Sequence, residues 1–138
     1  MQEGQELASN RSDVSVFVVD DDASVRRSLL RLLGAAGFQV AAFDAPDHFL
    51  DAVRFNKTDR CCLLLDITMP GSSGLLTIER MRQRGIDIPV IALSATDDDL
   101  TRRMAKRRGA KLFLSKPVDD KALLDAIEWV TALNQNDG

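Results

Sequence analysis

Cysteine, proline and long apolar runs are all scarce in this chain. Its two cysteines among 138 residues are too few for a disulfide-stapled scaffold. Cys61 and Cys62 are adjacent, a spacing unsuited to a metal clip and awkward for a disulfide within one strand, so both are expected to be buried core thiols. No apolar stretch approaches the roughly 20 residues of a membrane span. The first residues, 1–13, lack the basic start and apolar core of a signal peptide, so a soluble, cytoplasmic protein is expected. Neither sign of charge dominates: 18 Lys and Arg face 21 Asp and Glu, a formal net charge of -3. That balance leaves no overall electrostatic footprint for nucleic acid, and direct contact with nucleic acid or a membrane is not expected. There is no internal repeat and no low-complexity tract.

What is present is the composition of one globular domain, 45% hydrophobic and 28% charged, with enough length for a real core. Apolar, β-branched runs alternate with segments of helical period, the pattern of repeated βα units around a parallel sheet. The runs predict strands over 14–20, 38–43, 61–66, 88–93 and 111–115, the second being the least apolar. Most are continuous enough to be buried on both faces. Between them Val25, Leu29, Leu32, Leu33 and Ala36 keep helical spacing, as do Leu75, Ile78 and Met81, and later Leu123, Ile127 and Val130. Gly34 and Gly37, then Gly85, then Gly109 punctuate helix ends. The reading is a flexible arm over 1–13, one domain over 14–133 and a short tail over 134–138.

The chemistry collects where the apolar runs stop. Asp20 and Asp21 follow Val16 to Val19, Asp66 follows Leu63 to Leu65, Ser94 follows Leu93, and Lys116 ends the last run before Pro117. In an open parallel sheet these stops lie together at the carboxyl edge, where such folds bind ligands. Carboxylates a few ångströms apart repel, at a cost of roughly 1 kcal/mol in water and about 4 kcal/mol near a protein surface. A hard divalent cation removes that cost, and Mg²⁺ takes one or two carboxylates, several waters and a substrate phosphate. Asp22 is better read as the cap of the helix that follows. Pro117 removes a ladder donor after Lys116, so the ammonium should project from the sheet's edge.

With VFVVDDD at 16–22, LLLDITMPGSSG at 63–74, PVIALSA at 89–95 and LFLSKP at 112–117, the chain resembles the receiver domains of two-component response regulators. The wording DDDASVRRSLLRLL and DDKALLDAI is most similar to the nitrogen-fixation and nitrate regulator class. The resemblance implies a flavodoxin-like (βα)5 fold, with five parallel strands in the order 2-1-3-4-5 and helices on both faces. It implies that Asp66 accepts a phosphoryl group in a reaction dependent on Mg²⁺, or Mn²⁺ in its place. Asp20, Asp21, Asp66 and the backbone carbonyl of Thr68 then hold the metal, and Ser94 and Lys116 contact the phosphoryl oxygens. It further implies a switch in which Phe113 turns inward as Ser94 moves toward phosphate, although alternation with Leu112 and Leu114 alone reads Phe113 as plain core. Met69, Pro70 and the GSSG after them resemble the family's loop following the acceptor, with Pro70 and Gly74 shaping the approach to the third helix. The implied partners are a sensor histidine kinase or a phosphotransfer protein. His48 has no motif around it and is expected to be a surface or boundary residue.

By the same resemblance the protein is a switch that modifies and demodifies itself, not an enzyme with an independent substrate. Relatives of this class usually carry a C-terminal helix-turn-helix of roughly 50 or more residues, and the expectation is a receiver alone. The fourth helix is polarised, with Asp97, Asp98 and Asp99 ahead of Arg102, Arg103, Lys106, Arg107, Arg108 and Lys111. Self-complementation with the helix dipole explains that at roughly 0.3 to 1 kcal/mol per end, while a partner surface on helix 4, strand 5 and helix 5, including a phosphorylation-dependent homodimer, is the competing idea. Trp129 lies off the Leu123, Ile127 and Val130 stripe, toward a flank. Two other functional classes fit parts of the pattern. Asp20, Asp22 and Ser24 loosely mimic the nucleophile loop of haloacid-dehalogenase-like phosphatases, with Asp20 as nucleophile. A flavodoxin-like cofactor binder would want a phosphate loop rich in Gly, Ser or Thr, which Asp20, Asp21 and Asp22 are not, and a degenerate receiver acting only as a binding module leaves the retained acceptor and lysine unexplained.

Overall fold

A computed structural model describes residues 11–53, 60–68 and 74–137. Strands and helices alternate: β1 (Val14–Val19), α1 (Ala23–Ala35), β2 (Gln39–Phe43), α2 (Pro46–Ala52), β3 (Arg60–Asp66), α3 (Gly74–Gln83), β4 (Val90–Ser94), α4 (Asp99–Arg108), β5 (Leu112–Ser115) and α5 (Asp120–Asp137). The sheet runs β2-β1-β3-β4-β5 with every pairing parallel, the flavodoxin-like (βα)5 arrangement expected. β2 reads weakly in the sequence because it is an edge strand, no residue of it fully buried.

Side-chain alternation along the strands divides the core in two. Val14, Val16, Val18, Cys62, Leu64, Ile91 and Leu93 face one side with Leu29 and Leu33 of α1 and Leu123, Ile127 and Val130 of α5. Val19, Cys61, Leu63, Leu65, Val90 and Ala92 face the other with Phe49 of α2, Ile78 and Met81 of α3 and Ala105 of α4. Cys61 and Cys62 are both buried and stand on opposite faces of the sheet. Burial pushes the Cys62 thiol far up, so it packs as an inert apolar group.

Several boundaries shift, each for a backbone reason. β4 begins at Val90 although Ile88 and Pro89 are buried too: Pro89 has no donor, and its carbonyl accepts from Leu63 N–H at 2.9 Å to open the ladder. The same strand takes in Ser94. β1 stops at Val19, leaving Asp20 just beyond it. Gly34 lies inside α1, whose cap is Ala36, and it is Gly37 that takes the positive φ of 103°. α5 continues through Asp137, past the expected domain edge at residue 133. Met69, Pro70 and residues 71–73, read as a turn, fall outside the described residues, as does most of the arm.

Gly74 brings α3 hard against the end of β3. A Cβ placed there would lie 2.6 Å from the carbonyl oxygen of Asp66 and 2.6 Å from Cα of Ile67, both backbone atoms that cannot swing aside. Replacing Gly74 with Ala should therefore cost about 1 to 3 kcal/mol, as overpacking does, and lower the melting temperature by roughly 3 to 10 °C. Thermal unfolding by circular dichroism checks this.

Candidate functional site

The register of the sheet assembles the site. Val19 of β1 pairs with Leu65 of β3, so Asp20 and Asp66, each one residue further on, sit side by side. Leu93 pairs with Asp66 and Ser94 with Ser115, which brings Lys116 to the same edge. Asp20 and Asp66 are buried while Asp21 is exposed, and one carboxylate oxygen from each lies within 4.8 Å of the others. The Lys116–Pro117 peptide is cis. The Lys116 ammonium reaches over the edge to donate to Asp20 Oδ2 at 2.7 Å and lies 3.3 Å from Asp66 Oδ2.

The electrostatics follow from burial. Burial drives the Asp20 carboxyl above its ordinary range, against the hydrogen bonds it accepts from Lys116 and from Asp22 N–H. Burial also works against the Lys116 charge, but the hydrogen bond to Asp20 and the charges of Asp20 and Asp66 outweigh it and hold the ammonium above its usual value. Lys116 is thus a permanent cation at neutral pH, and Asp20 is the group under strain. Three carboxylates and one ammonium leave a formal charge of -2 in the crevice.

Neighbouring backbone and side chains hold these groups in place. Thr68 donates to Asp66 Oδ1 from both its N–H at 2.9 Å and its hydroxyl at 2.8 Å. Asp22 is the N-cap of α1 and accepts from Ser24 N–H at 2.9 Å and Val25 N–H at 3.4 Å. Its occupied carboxylate argues against an Asp20, Asp22, Ser24 nucleophile loop. Ser94, fully buried, does not turn its hydroxyl proton to the acids: it donates to Thr96 O at 2.8 Å and accepts from Thr96 N–H at 3.0 Å. Phe113 is half-buried against the α2–α4 side of the core, covered by the Arg102 guanidinium 4.7 Å from its ring centroid. His48 is exposed and bonds Asp44.

Two participants escaped the sequence reading. Arg26 donates to the carbonyl of Asp20 at 2.7 Å, bracing the turn that carries Asp20 and Asp21, yet an arginine off the apolar stripe of an amphipathic helix reads as solvated surface. Asp97 is the second. It reads as one of three acids at a helix start, but only Asp98 caps α4, through Thr101 N–H, whereas Asp97 turns back to Arg102 and Ser115.

The chain matches the response regulator receiver domain family over residues 16–128. It is 40% identical over 121 residues to the transcriptional regulatory protein TdiR of Thauera aromatica, covering 88% of this chain and 52% of that one. To the transcriptional regulatory protein FixJ of Azorhizobium caulinodans it is 38% identical over 112 residues, 81% of this chain and 52% of the relative. The chain thus spans about half the length of these curated relatives. Among solved structures, the response regulator StyR superposes with a TM-score of 0.80 at 42% identity, over 91% of this chain and 62% of StyR. The isolated FixJ-N structure gives 0.76 at 30% identity, over 87% and 94%. Among the described residues no helix is long and apolar enough to cross a membrane.

Removing the cation should expose the strain on Asp20. In metal-free buffer Lys116→Met is expected to lose about 1 to 3 kcal/mol at neutral pH. Because the folded-state affinity of Asp20 for a proton is raised, the stability it withholds returns as pH falls and the carboxyl is protonated. The deficit of the variant against wild type should therefore shrink from pH 7 toward pH 5 in chemical denaturation, and a constant deficit would contradict the assignment of strain to Asp20.

Proposed function

The chain belongs to the response regulator receiver domain family, which works as a phosphorylation-activated signalling element, and from that premise we propose that Asp66 is its phosphoryl acceptor. The observation that carries this reading is the convergence of the Asp20, Asp21 and Asp66 carboxylates under the Lys116 ammonium. Four charged groups at one sheet edge, two of them buried acids, are costly for stability and have no packing role.

The donor set fits Mg²⁺, which receiver domains bind at their acidic pocket. Hard carboxylate oxygens within a few ångströms, one of them exposed to solvent, suit an ion that keeps several waters, and a formal charge of -2 is what a divalent ion neutralises. Asp20, Asp21 and Asp66 would hold it, with the carbonyl of Thr68. When bound, the ion supplies neutralisation of the charge on the transferring oxygens and a template for the donor phosphate.

The chain's own residues do the rest. An Asp66 oxygen attacks phosphorus, forming an O–P bond as the P–N bond of a donor phosphohistidine, or the P–O bond of a small acyl phosphate, breaks and its electron pair leaves with the imidazole or carboxylate. Thr68 fixes the orientation of the Asp66 carboxylate through its two hydrogen bonds. Lys116, whose ammonium lies beside both Asp20 and Asp66, would neutralise a phosphoryl oxygen carried on Asp66. Ser94, once its hydroxyl leaves Thr96, donates to another, and Phe113 responds on β5.

The donor is a sensor histidine kinase or phosphotransfer protein. The output surface is α4, β5 and α5, where Arg103 and Arg107 are exposed and Trp129 is 51% exposed. It serves a homodimer or a DNA-binding output domain of the kind expected in transcriptional regulators twice this length. Self-phosphorylation and slow self-dephosphorylation are the only reactions assigned to the chain.

Incubation with acetyl phosphate and Mg²⁺ should add one phosphoryl group to wild type, mapped to Asp66, and none to Asp66→Asn. Asp20→Asn should slow the reaction by roughly 10-fold or more, the scale of losing a well-placed metal ligand; modification at Asp20 instead would overturn the reading. Mg²⁺ at about 100 times its dissociation constant should stabilise wild type by about 2.7 kcal/mol, seen as a melting shift of several degrees that Asp20→Asn lacks.

A further inference from the structure

A polar network outside the acidic crevice lies one loop away from it. Asp97 stands in the turn between β4 and α4. Its Oδ1 accepts from Arg102 Nε at 2.5 Å and its Oδ2 accepts from the Ser115 hydroxyl at 2.6 Å, so one carboxylate joins the turn, the second turn of α4 and the end of β5. Arg102 then lays its guanidinium over the Phe113 ring. The hydrogen bonds from Arg102 and Ser115 hold the Asp97 carboxyl down at about 2, so it is ionised at neutral pH. At the opposite end of the same turn, Ser94 is bonded to the backbone of Thr96 as both donor and acceptor.

The turn from Ser94 to Asp97 is therefore clamped at both ends. A serine hydroxyl has one proton, and that of Ser94 is committed to Thr96 O. Recruiting it to a phosphoryl oxygen breaks that bond and moves Thr96, which is covalently joined to Asp97. Phe113 likewise cannot change its packing while Arg102 covers it, and Arg102 is held there by Asp97. We propose that Asp97 and Arg102 are positioning residues that hold the Ser94 turn and Phe113 in their resting arrangement, so that opening the Asp97 clamp is the step that admits Ser94 to the phosphoryl site. This rests on the reading of Asp66 as acceptor and of Ser94 and Phe113 as the responding pair. It also reassigns the polarised start of α4: Asp98 serves the helix as its cap, whereas Asp97 and Arg102 serve the switch.

The test compares Asp97→Asn, Arg102→Gln and Ser115→Ala with wild type. The control is Arg31→Gln on α1, whose parent side chain is exposed and forms no ion pair among the described residues. Each protein is followed by hydrogen exchange at the Thr96 amide without phosphate and by the rate of Asp66 phosphorylation from acetyl phosphate with Mg²⁺. In the three clamp variants exchange should quicken and phosphorylation should accelerate by roughly 3- to 10-fold, the weight of a half-exposed ion pair with a cation–ring contact. The Asp97→Asn, Arg102→Gln double variant should gain no more than either single change, because both remove one clamp. A merely structural role would leave the rate unchanged or lower it. Unchanged exchange, an unchanged or slower rate, or an equal effect of Arg31→Gln overturns the proposal. If wild type itself takes no phosphoryl group, the Asp66 reading fails first, visibly, and takes the clamp's role with it.

Discussion

Two carboxylates buried side by side with one ammonium between them are the constraint around which this molecule is organised. Asp20 and Asp66 are 0% and 3% exposed with carboxylate oxygens within 4.8 Å of one another, and like charges at such a range repel by roughly 3 to 4 kcal/mol in a partly screened environment. Lys116 offsets part of this and is itself partly desolvated by doing so. The arrangement is a poor way to stabilise a fold and suits the divalent cation and phosphoryl group proposed for it. Burial first, and the charge of Asp66 after it, push the Asp20 carboxyl above its ordinary range.

The parallel sheet makes such a site possible because it separates the two demands. Strand interiors are apolar on both faces, with Val16, Val18, Leu63, Leu64, Leu65 and Ile91 fully buried, and they supply the stability that the edge withdraws. The ladder then fixes where each strand ends to within one residue, so that Asp20, Asp66 and Lys116 meet without any loop having to carry them there. Short supports complete the edge: Asp22 caps α1, Arg26 braces the Asp20 carbonyl, Thr68 locks Asp66, and Gly74 lets α3 start within contact of the Asp66 backbone. On the far side of Ser94 a second ionic knot, around Asp97, ties the β4–α4 turn to β5.

How much of this could be read from residues alone depends on the range of the interaction. Strand order, the two-faced core and the meeting of Asp20, Asp21, Asp66 and Lys116 were legible because they follow from hydrophobic period and from family motifs that sit at strand ends. Asp22 as a cap was legible because capping is local. What escaped depends on where a long side chain swings. Arg26 and Arg102 both stand on polar helix faces, and nothing in their spacing says that one reaches a carbonyl six residues back and the other an aromatic ring on β5. The start of β4 was missed by two residues because burial begins at Ile88 while pairing waits for the carbonyl of Pro89. Ser94 was placed at the right edge, but its resting hydrogen bonds to Thr96 belong to backbone geometry that composition does not encode.

In the proposed function the carboxylates of Asp20, Asp21 and Asp66 form one divalent-metal site beneath Lys116. The most direct measurement is anomalous scattering from crystals of the protein soaked in Mn²⁺. A single strong manganese peak is expected within coordination distance of all three carboxylates, with the Lys116 ammonium displaced from Asp20. A peak elsewhere, or none at a saturating concentration, would contradict it.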